Sequence, residues 1–216
     1  MINLLTMGLE FAVIALPVII ISAIFHEVAH GAVAYRLGDP TAKLLGRLTL
    51  NPIPHIDPVM SILLPLILII SGSPVIFGAA KPVPVDPFNL RDGRRDMALV
   101  SLAGPLTNFL IASIFAFILK FIVPFLGNDP IIYGLLYVIV QLNLLLGIFN
   151  LLPIPPLDGS KIFALLLPED MANRYLSIGT YGMFILFFLL IFPIGGFSLG
   201  TIIFQLQEFA LQLLGL

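Results

Sequence analysis

Pro130 to Leu157 is a run of 28 residues without a single charge. About 20 apolar residues suffice to cross the hydrocarbon core of a bilayer. In lipid, each backbone N–H and C=O must find its partner within the protein, so such a run folds as a helix. It is not isolated. Only Glu10 is charged from Met1 to Phe25, Leu99 to Leu119 is uncharged, and Tyr175 to Gln207 is uncharged with a break at Pro193-Ile194-Gly195-Gly196. Charged residues make up 10% of the chain, against about 25% in soluble domains. The chain reads as an integral membrane protein with little or no soluble domain.

The fold class this predicts is all-α and polytopic: one membrane-embedded domain over residues 1–216, a helical bundle of five to six membrane segments. A net charge of -2 and the lack of a basic aromatic patch exclude a nucleic-acid partner. The partner is the lipid bilayer. The absence of cysteine removes disulfides, thiolate nucleophiles and thiolate metal sites together. No basic leader and no small-residue cleavage site precede His26, so the first segment is expected to be a retained span.

That segment runs from Leu4 to Leu37, contains Pro17, and stops at Gly38-Asp39-Pro40. Loose alternation from Thr41 to Asn51 predicts a short β-strand at the membrane surface. Asn51 to Pro58 is too rich in proline for a regular helix. Val59 to Ile76 is apolar but broken by Pro65 and Gly72-Ser73-Pro74. Arg36, Lys43 and Arg47 precede it; Lys81, Arg91, Arg94 and Arg95 follow it. Cytoplasmic loops carry the excess of Lys and Arg, so a full crossing would strand one group outside. A re-entrant hairpin bent at Gly72-Ser73-Pro74 or Pro65 avoids this, provided that it packs on protein or lines a wet cavity. Five crossings remain, and nine of the ten basic residues then share one side, Lys120 excepted. The N-terminus lies outside and the C-terminus in the cytoplasm.

Within the first segment stands Phe25-His26-Glu27-Val28-Ala29-His30. On a helix, His26 and His30 lie on one face, one turn apart, at the spacing two ligands of a zinc ion need. Glu27 is placed to take a proton from a water activated there. The alternative is a pair of packed histidines at coincidental spacing, but ionisable groups inside a membrane are costly and mark function by default. A catalytic zinc site usually has three protein ligands. Candidates for the third are His55, Asp57, Asp86 and Asp158. Asp158 is the best of them, because it ends the uncharged run and follows Pro153, Pro155 and Pro156, which unwind the helix and free the backbone to aim it inward. It could equally cap a helix beginning at Gly159-Ser160.

The two stretches Phe25–His30 and Phe149-Asn150-Leu-Leu-Pro-Ile-Pro-Pro-Leu-Asp158-Gly159 together resemble the paired signature of the site-2 protease family of intramembrane zinc metalloproteases. Ala103-Gly104-Pro105-Leu-Thr-Asn108-Phe109 resembles that family's third core helix. His55-Ile-Asp-Pro58 with Phe77–Pro87 resembles its small prokaryotic members, which implies a prokaryotic cell membrane. The likeness covers roughly residues 20–165. No soluble stretch here is long enough for the PDZ or CBS domains of larger members.

The resemblance implies that His26, His30 and Asp158 bind one zinc ion per chain and that Glu27 is the general base. It implies that Asn150 binds the substrate carbonyl or its oxyanion, and that the substrate is a transmembrane protein or peptide. An unwound substrate could lie as an added strand along Thr41–Asn51 or Phe77–Asp86. His55 is read as hydrogen-bonded to Asp57 or loop backbone, and Asn108 and Asn143 as helix-packing amides. The rival class is a transporter or a metal-binding membrane protein without hydrolytic activity. A missing inverted repeat and the presence of Glu27 stand against it. A degenerate scaffold is the third reading, opposed by the filled catalytic positions.

Overall fold

The computed structural model describes residues 4–70, 80–126, 129–192 and 198–216. Helix α1, Leu4–Leu37, has the bounds its apolar run predicts and carries Pro17 within it. It ends where Gly38 adopts φ 118°, a conformation glycine alone takes readily. The buried carboxylate of Asp39 then gathers the amide and hydroxyl of Thr41, the Asp86 amide at 2.8 Å and the Asn89 side chain at 3.0 Å. That knot fastens the loop at residues 80–90 to the end of α1.

The strand expected at Thr41–Asn51 is absent, and no strand occurs among the described residues. Thr41–Leu44 is instead one helical turn, α2. Asp39 accepts from the Thr41 amide two residues on, the local bond that curls a chain into a turn rather than extending it. Residues 80–86 are irregular and pair with no strand. Pro82, Pro84 and Pro87 have no N–H to give a ladder. Arg47 Nη2 takes the Lys81 and Pro82 carbonyls at 2.8 and 3.2 Å, and the Lys81 amide donates to the His55 carbonyl. Of the expected hairpin, Pro58–Leu63 forms a π-helical turn and Leu64–Ile70 forms α3. Of its two alternative bends, Gly72-Ser73-Pro74 lies outside the described residues and Pro65 falls within the first turn of α3.

Helix α4, Gly93–Phe117, is the hub, packing along α1, along α5 (Pro130–Asn150) and across α6 (Asp158–Ala164). Small buried residues, Ser101, Gly104, Ala112 and Ala116, let its neighbours approach closely. Ala112, Ala116, Val140, Leu144 and Leu211 form the main apolar core. On the opposite face Leu106, Leu110, Ile114 and Phe117 recur at helical spacing and are exposed, the surface a bilayer solvates. Asp129 caps α5, accepting from the Ile131 and Ile132 amides.

Past Asn150 the chain unwinds through residues 151–157, as the prolines require, with a cis Pro155–Pro156 bond. Arg94 donates to the Ala164 and Leu167 carbonyls and so closes the end of α6 onto α4. Helices α7 (Glu169–Ser177), α8 (Gly179–Ile191) and α9 (Leu199–Leu214) complete the chain. Gln207 of α9 donates to the Gln141 carbonyl of α5 at 3.0 Å.

The segments Val13–Leu37, Gly93–Phe125 and Pro130–Asn150 are long and apolar enough to cross a membrane. The bent pair α7–α8, with 62° between its halves, makes a fourth candidate. The protein is a helical integral membrane protein.

Candidate metal centre

His26 and His30 project from α1 with ring centroids 4.6 Å apart, edge to face. What lets both rings point the same way is Gly104 of α4. A Cβ built there would lie 2.5 Å from His26 Nε2 and from His30 Nε2. Asp158, the first residue of α6, reaches the same point from the other side. Its Oδ2 stands 3.1 Å from His26 Nε2 and 3.2 Å from His30 Nε2, and its Oδ1 is 3.3 Å from Lys161 Nζ. All three side chains are buried. Leu157, not Asp158, is the residue before α6, and no side chain caps it, so the capping alternative for Asp158 is not what the fold uses.

The donor chemistry fits a divalent cation. His30 Nδ1 donates to the Val100 carbonyl at 2.6 Å, and His26 Nδ1 to Asn108 Oδ1 at 2.6 Å. With the ring proton on Nδ1 in each, a neutral imidazole presents its lone pair at Nε2. Two such nitrogens and one carboxylate oxygen lie within 4.8 Å of one another. Two imidazoles with a carboxylate are a recurrent catalytic zinc set. Burying the carboxylate is costly unless a cation or strong donors face it. Among the described residues this is the one such convergence of three metal-ligating side chains.

The remaining candidates are elsewhere. Asp57 accepts from the Val59 amide and Asp86 from the Phe88 amide, both local turn bonds. His55 is 1% exposed and donates from Nε2 to the Thr49 carbonyl at 2.8 Å, the loop-backbone bond expected of it.

Glu27 stands next to the centre, its Oε2 accepting from the Val83 amide at 2.6 Å. It lines a largely apolar cavity of about 600 Å³ with His26, His55, Asn150, Phe149 and Met183. Asn150, the last residue of α5, donates from Nδ2 to the Leu146 carbonyl at 2.9 Å. Of the two stretches expected to take an added strand, Thr41–Asn51 forms no strand, and in Phe77–Asp86 residues 77–79 lie outside the described residues while several backbone groups of the rest are occupied. Lys81, Pro82, Val83 and Asp86 already use backbone groups on His55, Arg47, Glu27 and Asp39.

Sequence reasoning missed Gly104, and it read Asn108 only as a packing amide. The signal for Asn108 was its place four residues after Gly104, on the same face of the same helix. A primary amide on an apolar membrane helix needs a partner, and here that partner is His26.

Residues 128–192 match Peptidase family M50. The chain is 38% identical over 187 residues to YwhC of Bacillus subtilis, a protein provisionally named a zinc metalloprotease, covering 84% of this chain and 81% of YwhC. It is 33% identical over 175 residues to Rip2 of Mycobacterium tuberculosis, provisionally named in the same way, covering 80% of this chain and 63% of Rip2. A 70-residue stretch is 36% identical to the zinc metalloprotease MJ0392 of Methanocaldococcus jannaschii, covering 32% of this chain and 20% of that protein. No solved structure gives a significant match.

Proposed function

This chain belongs to peptidase family M50, the site-2 proteases, and from that premise we propose that it hydrolyses peptide bonds in or near the transmembrane segments of membrane proteins. The single observation that carries this reading is the convergence of His26 Nε2, His30 Nε2 and Asp158 Oδ2 beside a cavity that Glu27 and Asn150 line. In this reading those three residues hold one zinc ion. When bound, zinc makes water nucleophilic near neutral pH and polarises a carbonyl.

Glu27 takes a proton from the attacking water and delivers it to the leaving amine. The Val83 amide keeps the carboxylate in place by donating to its Oε2. Asn150 turns one amide hydrogen to the Leu146 carbonyl, and the second is left for the oxyanion. The apolar cavity receives the unwound part of the substrate helix and limits water around the reacting bond.

The matching topology is one membrane-embedded domain with five crossings, the N-terminus outside and the C-terminus in the cytoplasm of a bacterial cell. The placement of nine of the ten basic residues on one side supports it.

One experiment tests the assignment. Wild type and Glu27→Gln are purified in detergent, their zinc is measured, and cleavage of a model membrane-spanning peptide is followed. Zinc retained in both with cleavage lost in the variant is expected. Equal cleavage by both sinks the protease reading, and zinc without cleavage in either leaves a metal-binding membrane protein.

A further inference from the structure

Asn108 and Asn143 are 0% exposed, on helices embedded in apolar surroundings, and the catalytic scheme above uses neither. A buried polar group left without a partner is destabilising, so both amides must be satisfied inside the protein. They form a chain that can be read in one direction only.

Its fixed end is the main-chain carbonyl of Ile139, which can accept but never donate. Asn143 must therefore turn its Nδ2 toward it, at 2.9 Å, and the same nitrogen donates to Ser22 Oγ of α1 at 2.9 Å. With both amide hydrogens committed, Asn143 presents Oδ1 to α4. There it accepts from Asn108 Nδ2 at 3.0 Å. Asn108 in turn presents Oδ1 to His26 Nδ1 at 2.6 Å. An amide oxygen only accepts, so Nδ1 carries a proton, and a neutral ring, as a metal ligand must be, then has its lone pair on Nε2, the nitrogen that faces His30 and Asp158.

The other imidazole reaches the same state by a shorter route, since His30 Nδ1 bonds the Val100 carbonyl directly. Both rings are thus referred to a backbone carbonyl. For His30 that reference is built into α4 and survives any side-chain change. For His26 it passes through two side chains and joins α1, α4 and α5.

We propose that Asn143 and Asn108 act as a polarity relay that transmits the orientation of the Ile139 carbonyl to His26 and holds its Nε2 as a metal ligand. Both are positioning residues. The proposal rests on His26 being a zinc ligand, and it adds that the tautomer of this ligand is set by a residue it does not touch. Partners of this kind, when removed, typically weaken metal binding by about 10–100-fold.

The test uses the zinc-loaded, full-length protein in detergent. Zinc affinity is measured by competition with a chromophoric chelator, and the visible spectrum is recorded after cobalt replaces zinc. Asn143→Leu leaves every atom around His26 in place but frees Asn108 to rotate its amide. Its zinc affinity should fall about tenfold or more, with an altered cobalt spectrum. Asn108→Leu should fall at least as far, and Asn108→Asp, which keeps an acceptor at Nδ1, should bind zinc more tightly than Asn108→Leu.

A second measurement needs no variant. In zinc-loaded protein carrying 15N-histidine, the His26 proton should be bonded to Nδ1, with none on Nε2. Parental zinc affinity and cobalt spectrum in folded Asn143→Leu, or no advantage of Asn108→Asp over Asn108→Leu, overturns the relay while the metal centre stands, and a proton on Nε2 of the zinc-loaded ring overturns His26 as an Nε2 ligand together with the relay. A wild-type protein that binds no zinc overturns both.

Discussion

The Val83 amide donates to Glu27 Oε2 across 2.6 Å, linking α1 to a loop 56 residues further along the chain. Val83 sits between Pro82 and Pro84, neither of which has an N–H, so no adjacent amide can take its place. Hydrogen bonds to a charged group contribute about 1.5–3 kcal/mol. Val83→Pro removes the donor and should lower kcat/KM on a membrane-spanning peptide by roughly tenfold or more, with zinc content unchanged. Val83→Ala keeps the amide and should stay near the parental rate. Identical rates for the proline and alanine variants would show that the contact does not position Glu27.

Gly104 supplies the space in which the two imidazoles meet. Gly104→Ala places a Cβ 2.5 Å from both Nε2 atoms, so at least one ring must move. Alanine is about 1 kcal/mol better than glycine in a helix, and helix content should be preserved. Purified Gly104→Ala should therefore remain folded by circular dichroism yet carry well under one zinc per chain. Full zinc occupancy would mean that the rings adjust freely and that Gly104 serves packing alone.

Asn150 has one amide hydrogen committed to Leu146 and one available. If the second meets an oxyanion, Asn150→Ala should lower kcat by about 10²–10³. KM and zinc affinity should scarcely change. A raised KM at constant kcat would assign the side chain to ground-state binding instead.

Much of this site is legible without a structure, and the reason is the scarcity of charge. In a chain whose long runs carry almost none, His26, Glu27, His30 and Asp158 stand out as groups that lipid would penalise. The bounds of α1 follow from the same scarcity and from Gly38. The relay through Asn108 and Asn143 is not legible, because its bonds join residues 82 and 35 positions apart, and no local period encodes a separation of that kind. The turn at Thr41 illustrates the opposite failure. There a single bond from the Thr41 amide to Asp39 outweighs the alternating pattern of residues 41–51.

Asp39 gives the protein a pH dependence remote from the metal centre. Burial alone would raise its pKa, but the Thr41 hydroxyl and the amides of Asp86 and Thr41, with the Asn89 side chain, outweigh it and hold the carboxyl below the usual carboxylate range. The folded state thus binds this proton less readily than the unfolded chain. The resulting stabilisation is complete above the unfolded pKa of about 4 and is lost as pH falls through the lower folded value. Thermal melts in detergent should show wild type losing stability across that acid window. Asn at position 39 should lower the melting temperature at neutral pH and flatten the acid limb. Parallel acid limbs for Asp39→Asn and wild type would exclude Asp39 as their source.

The carboxylate of Asp158 lies 132 residues beyond His26, and that separation has a consequence in time. A ribosome adding about 5–20 residues per second delivers α1 with its two imidazoles on the order of ten seconds before the carboxylate exists. During that interval the growing chain already holds α4 with Gly104 and Asn108, yet it offers a cation two of the three groups. On the proposed function, a chain assembled in this order lacks its third ligand while it passes through the insertion machinery. The position of one aspartate along the chain thus decides when the three-ligand set is complete.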